Sequence, residues 1–317
     1  MQRIHAELHV VFGAGQVGQQ LAQRLLDAGK RVRIIRRSAH GILSGAESMN
    51  GDAGDADFCL RAAAGAQVVY HCMNAAYDAK LWTAELPRLM RNLIAAAGRV
   101  QARLVVLDNL YMLGRPQGRM LDEDCPVAPC SRKGAVRAQV AELLLSAHQR
   151  GEVQATIGRA SDFYGPGGVQ TFLGDHFWPA ALAGRMVWLP FDPDAVHTYH
   201  YIPDVAAGLA ALGCAGADVC GKPWMLPCST AGSLRQMVAR IASHLGHRIR
   251  LGCISRWLLG AAGPFVPLVR ELNEMRYQWD GPFVVDDRCM RARLGLVPTD
   301  ETEAVAATVA WARRHYA

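Results

Sequence analysis

The chain has 317 residues, 51% of them hydrophobic and 20% charged, and a formal net charge of +6. This is the balance of a soluble globular protein long enough to bury a large core. The positive excess comes without a basic run interleaved with aromatics and without a zinc-finger or helix-turn-helix pattern, so nucleic acid is not an expected partner. Nine scattered cysteines with no C-x-x-C argue against a disulfide framework and a zinc site, and no metal is expected. With no signal peptide and no uncharged apolar run of roughly 18 residues, the expected compartment is the cytoplasm and no membrane partner is expected.

In chain order, an apolar strand at Leu8–Phe12 runs into the turn Gly13-Ala14-Gly15-Gln16-Val17-Gly18 and then a helix with Val17, Leu21, Leu25 and Ala28 on one face, stopped by Gly29. A second strand, with Val32, Ile34 and Ile35, ends in Arg36-Arg37-Ser38. A G-x-G-x-x-G pattern alone is weak, but strand, turn, helix and second strand within about 30 residues are the flanks a dinucleotide site requires. Gly13 allows the tight turn, Gly15 clears space for a pyrophosphate, and Gly18 lets helix and strand approach. The helix start then offers unpaired N–H groups to the phosphates. An NAD-preferring site places a carboxylate at the end of the second strand. Here two arginines and a serine suit a ribose 2′-phosphate, and the next carboxylate is Glu47. The expected cofactor is NADP(H), with part of the basic excess (Arg31, Arg33, Arg36, Arg37) lying along it.

A third strand ends near Met49, before Gly51-Asp52-Ala53, where Asp52 is either an acceptor for the adenine amino group or a turn former. A helix at 55–64, a strand at 67–71, a long helical region through Leu86 and Ile94 and a strand at 104–107 follow. After an irregular segment at 114–131, a helix starts near Arg132 and a further strand ends at Ile157-Gly158-Arg159. This alternation predicts an α/β fold, a Rossmann-type doubly wound parallel sheet with both faces covered. Past about residue 165 the rhythm breaks into an aromatic-rich stretch (Phe172, Phe177, Trp178, Trp188) and, at 232–280, helices broken by Pro264 and Pro267. The predicted division is a cofactor domain at 1–165 plus roughly 195–225, and a smaller, mainly helical substrate-binding region at roughly 166–194 and 226–317.

The sequence resembles an extended short-chain dehydrogenase/reductase of the NAD-dependent epimerase/dehydratase family. Besides the glycine turn, the resemblance rests on Gly51-Asp52-Ala53, Val69-Tyr70-His71-Cys72 and Val105-Val106-Leu107-Asp108-Asn109. It continues with Arg159-Ala160-Ser161-Asp162-Phe163-Tyr164-Gly165-Pro166-Gly167, Tyr201-Ile202-Pro203-Asp204-Val205-Ala206 and Leu294-Gly295-Leu296-Val297-Pro298. It adds Met73, Asn74 and Leu107 to the expected cofactor contacts, beside Gly13, Gly15, Gln16, Val17, Gly18, Arg36, Arg37, Ser38, Asp52 and Ala53. It also implies a homodimer through the helices at roughly 82–97 and 132–149. The departures are in the catalytic set. Asn109 stands at the place of the family's catalytic Ser or Thr, Leu113 at that of a Tyr, and Gly134 and Ala138 at those of the Tyr-x-x-x-Lys pair.

Carbonyl reduction needs a proton donor as well as a hydride. Tyr111, two residues past Asn109 on the same strand end, is the favoured donor, with Asn109 orienting a substrate oxygen. Lys133 and Arg137, a K-x-x-x-R pair on one helical face, and Tyr164 are the substitutes. His197 or His200 could shuttle a proton, and sequence does not separate them. The expected function is an NADPH-dependent oxidoreductase reducing a carbonyl, enone or imine of a small, fairly apolar molecule. The alternatives are a nucleotide-sugar epimerase or dehydratase, for whose substrate Arg185, Arg235 and Arg270 are available, and a non-catalytic NADPH-binding sensor.

Overall fold

A computed structural model describes residues 6–38 and 43–317. In chain order the strands are β1 (Leu8–Phe12), β2 (Arg31–Arg36), β3 (Glu47–Asn50), β4 (Val68–His71), β5 (Arg103–Asp108), β6 (Gln154–Arg159), β7 (Asp162–Tyr164), β8 (Met186–Leu189), β9 (Val196–Tyr201), β10 (Pro223–Met225), β11 (Thr230–Ser233) and β12 (Arg250–Cys253). The helices are α1 (Gln16–Asp27), α2 (Ala56–Ala63), α3 (Ala79–Arg99), α4 (Arg132–Gln149), α5 (Trp178–Leu182), α6 (Ile202–Cys214), α7 (Leu234–Leu245), α8 (Arg256–Ala262), α9 (Pro267–Met275), α10 (Arg288–Leu294) and α11 (Glu301–Tyr316).

The main sheet is parallel throughout, in the order β10-β6-β5-β4-β1-β2-β3. Every residue of β1 is buried, because a strand at the centre of such a sheet has helices over both faces and cannot alternate with water. Trp82, Leu86, Leu93 and Val140 of α3 and α4 pack on one face. Leu21 and Leu25 of α1, Val205 and Leu209 of α6, and Met290 of α10 cover the other. Strand order reverses between β1, which continues toward β2, and β4, which continues toward β5. The crevice at their carboxyl ends is where such sheets bind ligands.

A three-stranded sheet, β11-β9-β7, and a two-stranded one, β12-β8, lie outside the main sheet. The span 195–225 therefore divides. β9 joins the small sheet, whereas α6 covers the main sheet and β10 extends its edge. The aromatic stretch is mostly interior: Phe177 and Trp178 are fully buried with Tyr164, Met237 and Ala304, while Trp188 is exposed.

Candidate active site

The three glycines of the first turn meet different surroundings. Gly13 sits at φ +104°, and a Cβ there would fall 2.8 Å from the Cys72 carbonyl carbon and 2.9 Å from Met73 Cγ. A Cβ on Gly18 would overlap the Gly13 carbonyl oxygen. A Cβ on Gly15 would meet nothing within 4 Å. Two glycines are thus fixed by the protein's own packing, and the third opens onto space. Gly15 is also the N-cap of α1 and provides no side-chain cap, so the first N–H groups of the helix face that space. Val17 is buried behind them, and Gln16 Oε1 is buried with no hydrogen-bond partner among the described residues. The chemistry of this cradle fits a dinucleotide pyrophosphate.

At the end of β2, Arg37 and Ser38 are exposed, and Arg36 Nε is buried without a partner among the described residues. Arg31 and Arg33 depart from expectation. Arg31 donates to Glu47 at 2.7 Å, and Arg33 donates to Glu47 at 2.9 Å and to the Ala62 carbonyl at 2.9 Å. Register explains this: Glu47 lies opposite Arg33, and Asn50 opposite Arg36. The carboxylate is therefore three residues, about 10 Å, short of the strand end where a ribose would sit. Asp52 Oδ1 accepts from Gly54 N at 2.8 Å, the turn-forming arrangement, and Ala53 is buried beneath it.

The two cations of α4 do not act as one pair. Lys133 is fully buried, its ammonium 2.5 Å from Glu271 Oε2 and 3.3 Å from Glu274 Oε2. It also donates to the Glu271 carbonyl at 3.1 Å and lies 4.6 Å from the Tyr77 ring. Lys133 thus ties α4 to α9. Arg137 turns into the sheet edge. Its guanidinium donates to Asp108 Oδ1 at 3.2 Å and Asn74 Oδ1 at 2.8 Å, and packs 4.7 Å over the Trp82 ring. It joins the ends of β4 and β5. Gly134 has no room for a tyrosine, since its Cβ would fall 2.5 Å from the Tyr111 carbonyl oxygen.

β5 ends at Asp108, and Tyr111 opens a 3₁₀ turn, Tyr111–Leu113, rather than continuing the strand. Asn109 holds that turn, its Oδ1 accepting from Tyr111 N at 3.0 Å. Leu107, half-buried, packs with the α1–α6 face. The Tyr111 ring stacks on Trp82 at 6.0 Å, and its hydroxyl is 3.5 Å from that of Tyr77. Burial and then the nearby Asp162 carboxylate push the Tyr111 phenol up to about 12, offset in part by Tyr77, Arg137 and Gln278. It is a proton-bearing phenol beside a guanidinium. Tyr164 packs on Tyr201 at 5.4 Å within the apolar core of the cap.

The histidines separate cleanly. His200 Nδ1 accepts from Ser161 N at 3.1 Å and Nε2 donates to the Leu226 carbonyl at 3.1 Å, a neutral tautomer that burial pushes down to about 4. His197 instead faces Asp162 Oδ2 at 2.8 Å and the Gln278 carbonyl at 3.3 Å. Asp162 and Gln278 were not candidates from sequence. A polar residue just past β6 in Arg159-Ala160-Ser161-Asp162 was the only signal for the first, and nothing marked the second. Among the described residues no group of His, Cys, Asp and Glu could hold a metal ion, and no helix is long and apolar enough to cross a membrane.

The model of the NAD-dependent epimerase/dehydratase family matches residues 9–217. No curated protein sequence matches the chain. Among solved structures, it is similar to UDP-glucuronic acid 4-epimerase from Bacillus cereus, in complex with UDP-glucuronic acid and NAD. That match has a TM-score of 0.80 at 16% identity, covering 98% of this chain and 100% of that one. It is similar to the Thermus thermophilus UDP-glucose 4-epimerase complex with NAD, TM-score 0.75 at 20% identity over 97% and 99% of the two chains. A third is dTDP-glucose 4,6-dehydratase from Bacillus anthracis with NAD, TM-score 0.79 at 14% identity over 98% and 97%. At these identities the structures share the fold.

Proposed function

Because this chain belongs to the NAD-dependent epimerase/dehydratase family, we propose that it is an NADP(H)-dependent oxidoreductase reducing the carbonyl, enone or imine of a small, fairly apolar molecule. The observation that carries this reading is the Tyr111 phenol at the carboxyl edge of the sheet, set against Trp82 and Tyr77 with the Arg137 guanidinium acting on it. Gly13, Gly15, Gln16, Val17 and Gly18 would cradle the pyrophosphate, with Met73 and Asn74 beyond β4 and Leu107 on β5 along the nicotinamide half. Arg36, Arg37 and Ser38 would hold a 2′-phosphate, and the absence of a carboxylate at that strand end supports NADP(H) over NAD(H). The bound reduced cofactor supplies the hydride. Tyr111 gives its proton to the substrate oxygen, and Arg137 stabilises the negative charge that develops there. Asn109 keeps the Tyr111 turn in place. We further read the packed pair α3 and α4 as the face of a homodimer.

A second reading is a nucleotide-sugar epimerase or dehydratase. It is favoured by Arg115, Arg256 and Arg276, which lie 3.8, 3.9 and 3.7 Å from the single carboxylate of Asp280. With Tyr277, Cys130 and the Glu274 carboxylate they line a cavity of about 400 Å³, where three guanidiniums against two carboxylates leave one positive charge over for a diphosphate. The named activities of the structural neighbours point the same way.

Calorimetry with NADPH and NADH tests the cofactor, with tighter binding of NADPH expected. Following NADPH at 340 nm with an aromatic aldehyde, and epimerisation of a UDP-hexose in parallel, separates the two reactions. Tyr111→Phe is expected to lower aldehyde turnover by roughly 10²–10⁴-fold with cofactor affinity unchanged. Equal turnover by Tyr111→Phe would remove Tyr111 as the donor, and NADPH binding without turnover on either substrate class would move the protein to the sensor reading.

A further inference from the structure

Past the residues that match the family model, 9–217, the chain changes its charge character. Residues 219–270 contain no Asp or Glu, while seven Lys and Arg are spread through them. The last part is the most one-sided. Residues 248–270 hold Arg248, Arg250, Arg256 and Arg270, and from Trp257 to Val269 there is no charged side chain. That uncharged run forms α8, a turn and the start of α9, and its large apolar side chains are left in water. Trp257 is 76% exposed and Phe265 84%, and Leu258, Val266 and Leu268 are exposed as well. Single exposed apolar residues are ordinary, whereas five within residues 257–268 mark a contact surface.

The α8–α9 hairpin is fastened to the protein. Leu259, Glu271 and Met275 are buried, and Asn273 Nδ2 donates to the Leu259 carbonyl at 2.9 Å, tying the two helices together. Its turn has no backbone donor left over. Gly263 N donates to the Leu259 carbonyl at 3.0 Å, and Phe265 N and Val266 N donate to the Ala262 carbonyl at 3.0 and 2.9 Å. Pro264 and Pro267 carry no N–H. Donors closed in this way cost little to take out of water, which suits an apolar partner.

Charge decides what covers this face. Arg248 and Arg250 are exposed and make no ion pair among the described residues. Arg256 and Arg270 approach Asp280 and Glu271 at 3.9 and 3.4 Å, carboxylates already shared with Arg276 and Lys133. A second copy of the chain, related by a two-fold axis, would set these arginines against each other with no acid in the stretch to answer them. An anionic bilayer answers both features. Its headgroups attract the flanking arginines, and exposed Trp, Phe and Leu enter at the boundary between headgroups and acyl chains. With seven residues in α8 and nine in α9, neither helix can span the hydrocarbon, so the contact is with the surface of one leaflet. The expectation of no membrane partner rested on the lack of a spanning run, which a surface contact does not need.

We propose that the α8–α9 hairpin docks the protein on an anionic lipid bilayer. Trp257 and Phe265 insert at the interface, and Arg248, Arg250, Arg256 and Arg270 meet the phosphate headgroups. The docking is independent of which reaction the cleft performs.

The test spins the full chain with sucrose-loaded vesicles of phosphatidylcholine, alone or mixed with phosphatidylglycerol. Partitioning onto the mixed vesicles is expected to exceed that onto the neutral ones by about tenfold or more, and to fall as salt screens the headgroups. No binding, or equal binding to both, overturns the proposal. Trp257→Ser and Phe265→Ser should each weaken partitioning about tenfold, because a large side chain no longer leaves water. Both side chains are exposed, so the melting temperature should hold. Binding kept by the double variant overturns the proposal. Should a variant not fold, hydrogen exchange of the wild-type chain still decides. Mixed vesicles should slow exchange at 256–268, and slowing only elsewhere puts the contact on another face and overturns it. A wild-type dimer that Trp257→Ser converts to monomer in light scattering would give the face to a second copy and also overturn it.

Discussion

The two halves of the cleft are built on opposite terms. Around the first turn, polar groups are left over: Gln16 Oε1 and Arg36 Nε have no partner among the described residues, and Gly15 faces open space. Around α4, the cations already have partners, Lys133 on Glu271 and Glu274, Arg137 on Asp108 and Asn74. Buried polar groups are normally satisfied, so the first half is a surface whose partner is a ligand. The second is a framework whose charges are paired within the protein.

The largest expected effect breaks the framework. Lys133→Met strands Glu271, whose side chain is only 3% exposed, and should cost about 3–5 kcal/mol in urea unfolding. Lys133→Met with Glu271→Gln should recover much of it. A loss shared equally by single and double variants would mean that the ion pair is not the cause.

A pH series probes both halves at once, since each keeps a neutral histidine at its sheet edge. Burial, which opposes the charged form, pushes His71 down to about 3 and His200 to about 4, against roughly 6.5 in an unfolded chain. The unfolded state takes up these protons first, so stability is fully present above about pH 6.5 and falls as pH drops toward 4. Each histidine contributes about 1.4 kcal/mol per pH unit within its window. Urea unfolding at pH 7 and pH 5 should therefore differ by about 4 kcal/mol from these two groups, and His200→Gln should halve the slope.

The glycines give the sharpest contrast. Gly18→Ala, which forces a methyl into the Gly13 carbonyl, should lower stability by about 1–3 kcal/mol as well as cofactor affinity. Gly15→Ala should leave the melting temperature where it is and still abolish NADPH binding. If Gly15→Ala binds normally, the open space is not the pyrophosphate site. Smallest is Arg36→Ala, expected to weaken NADPH by about tenfold, the loss of one charge-assisted hydrogen bond, with NADH unaffected.

What could be read from the residues alone follows the same division. The β1–α1–β2 unit is encoded by neighbours: alternation of apolar runs, turn glycines, the α1 stripe and its stop at Gly29 all act within a few residues. The half around α4 depends on pairings across long stretches of chain. Lys133 meets a carboxylate on α9, and β8 finds β12 in the register Met186↔Arg250. Residue spacing on α4 put Lys133 and Arg137 on one helical face, but it carried no information about partners on β5 and α9. Strand alternation was the reason for setting Tyr111 beside Asn109, whereas a 3₁₀ turn held by Asn109 orients it. His197 and His200, three residues apart on one strand, differ only in what the small sheet and the Gln278 backbone bring to each ring.

Glu271 touches three helices at once: its Oε2 receives Lys133 from α4 and the first backbone N–H of α3 at Ala79, while the residue itself belongs to α9. A single atom thus rivets two crossover helices of the main sheet to α9, the roof over them. Drift at position 133 is then tied to position 271: relatives that exchange the lysine for a neutral residue should have lost the acid as well, and with it the bolt that keeps the roof from sliding over the floor.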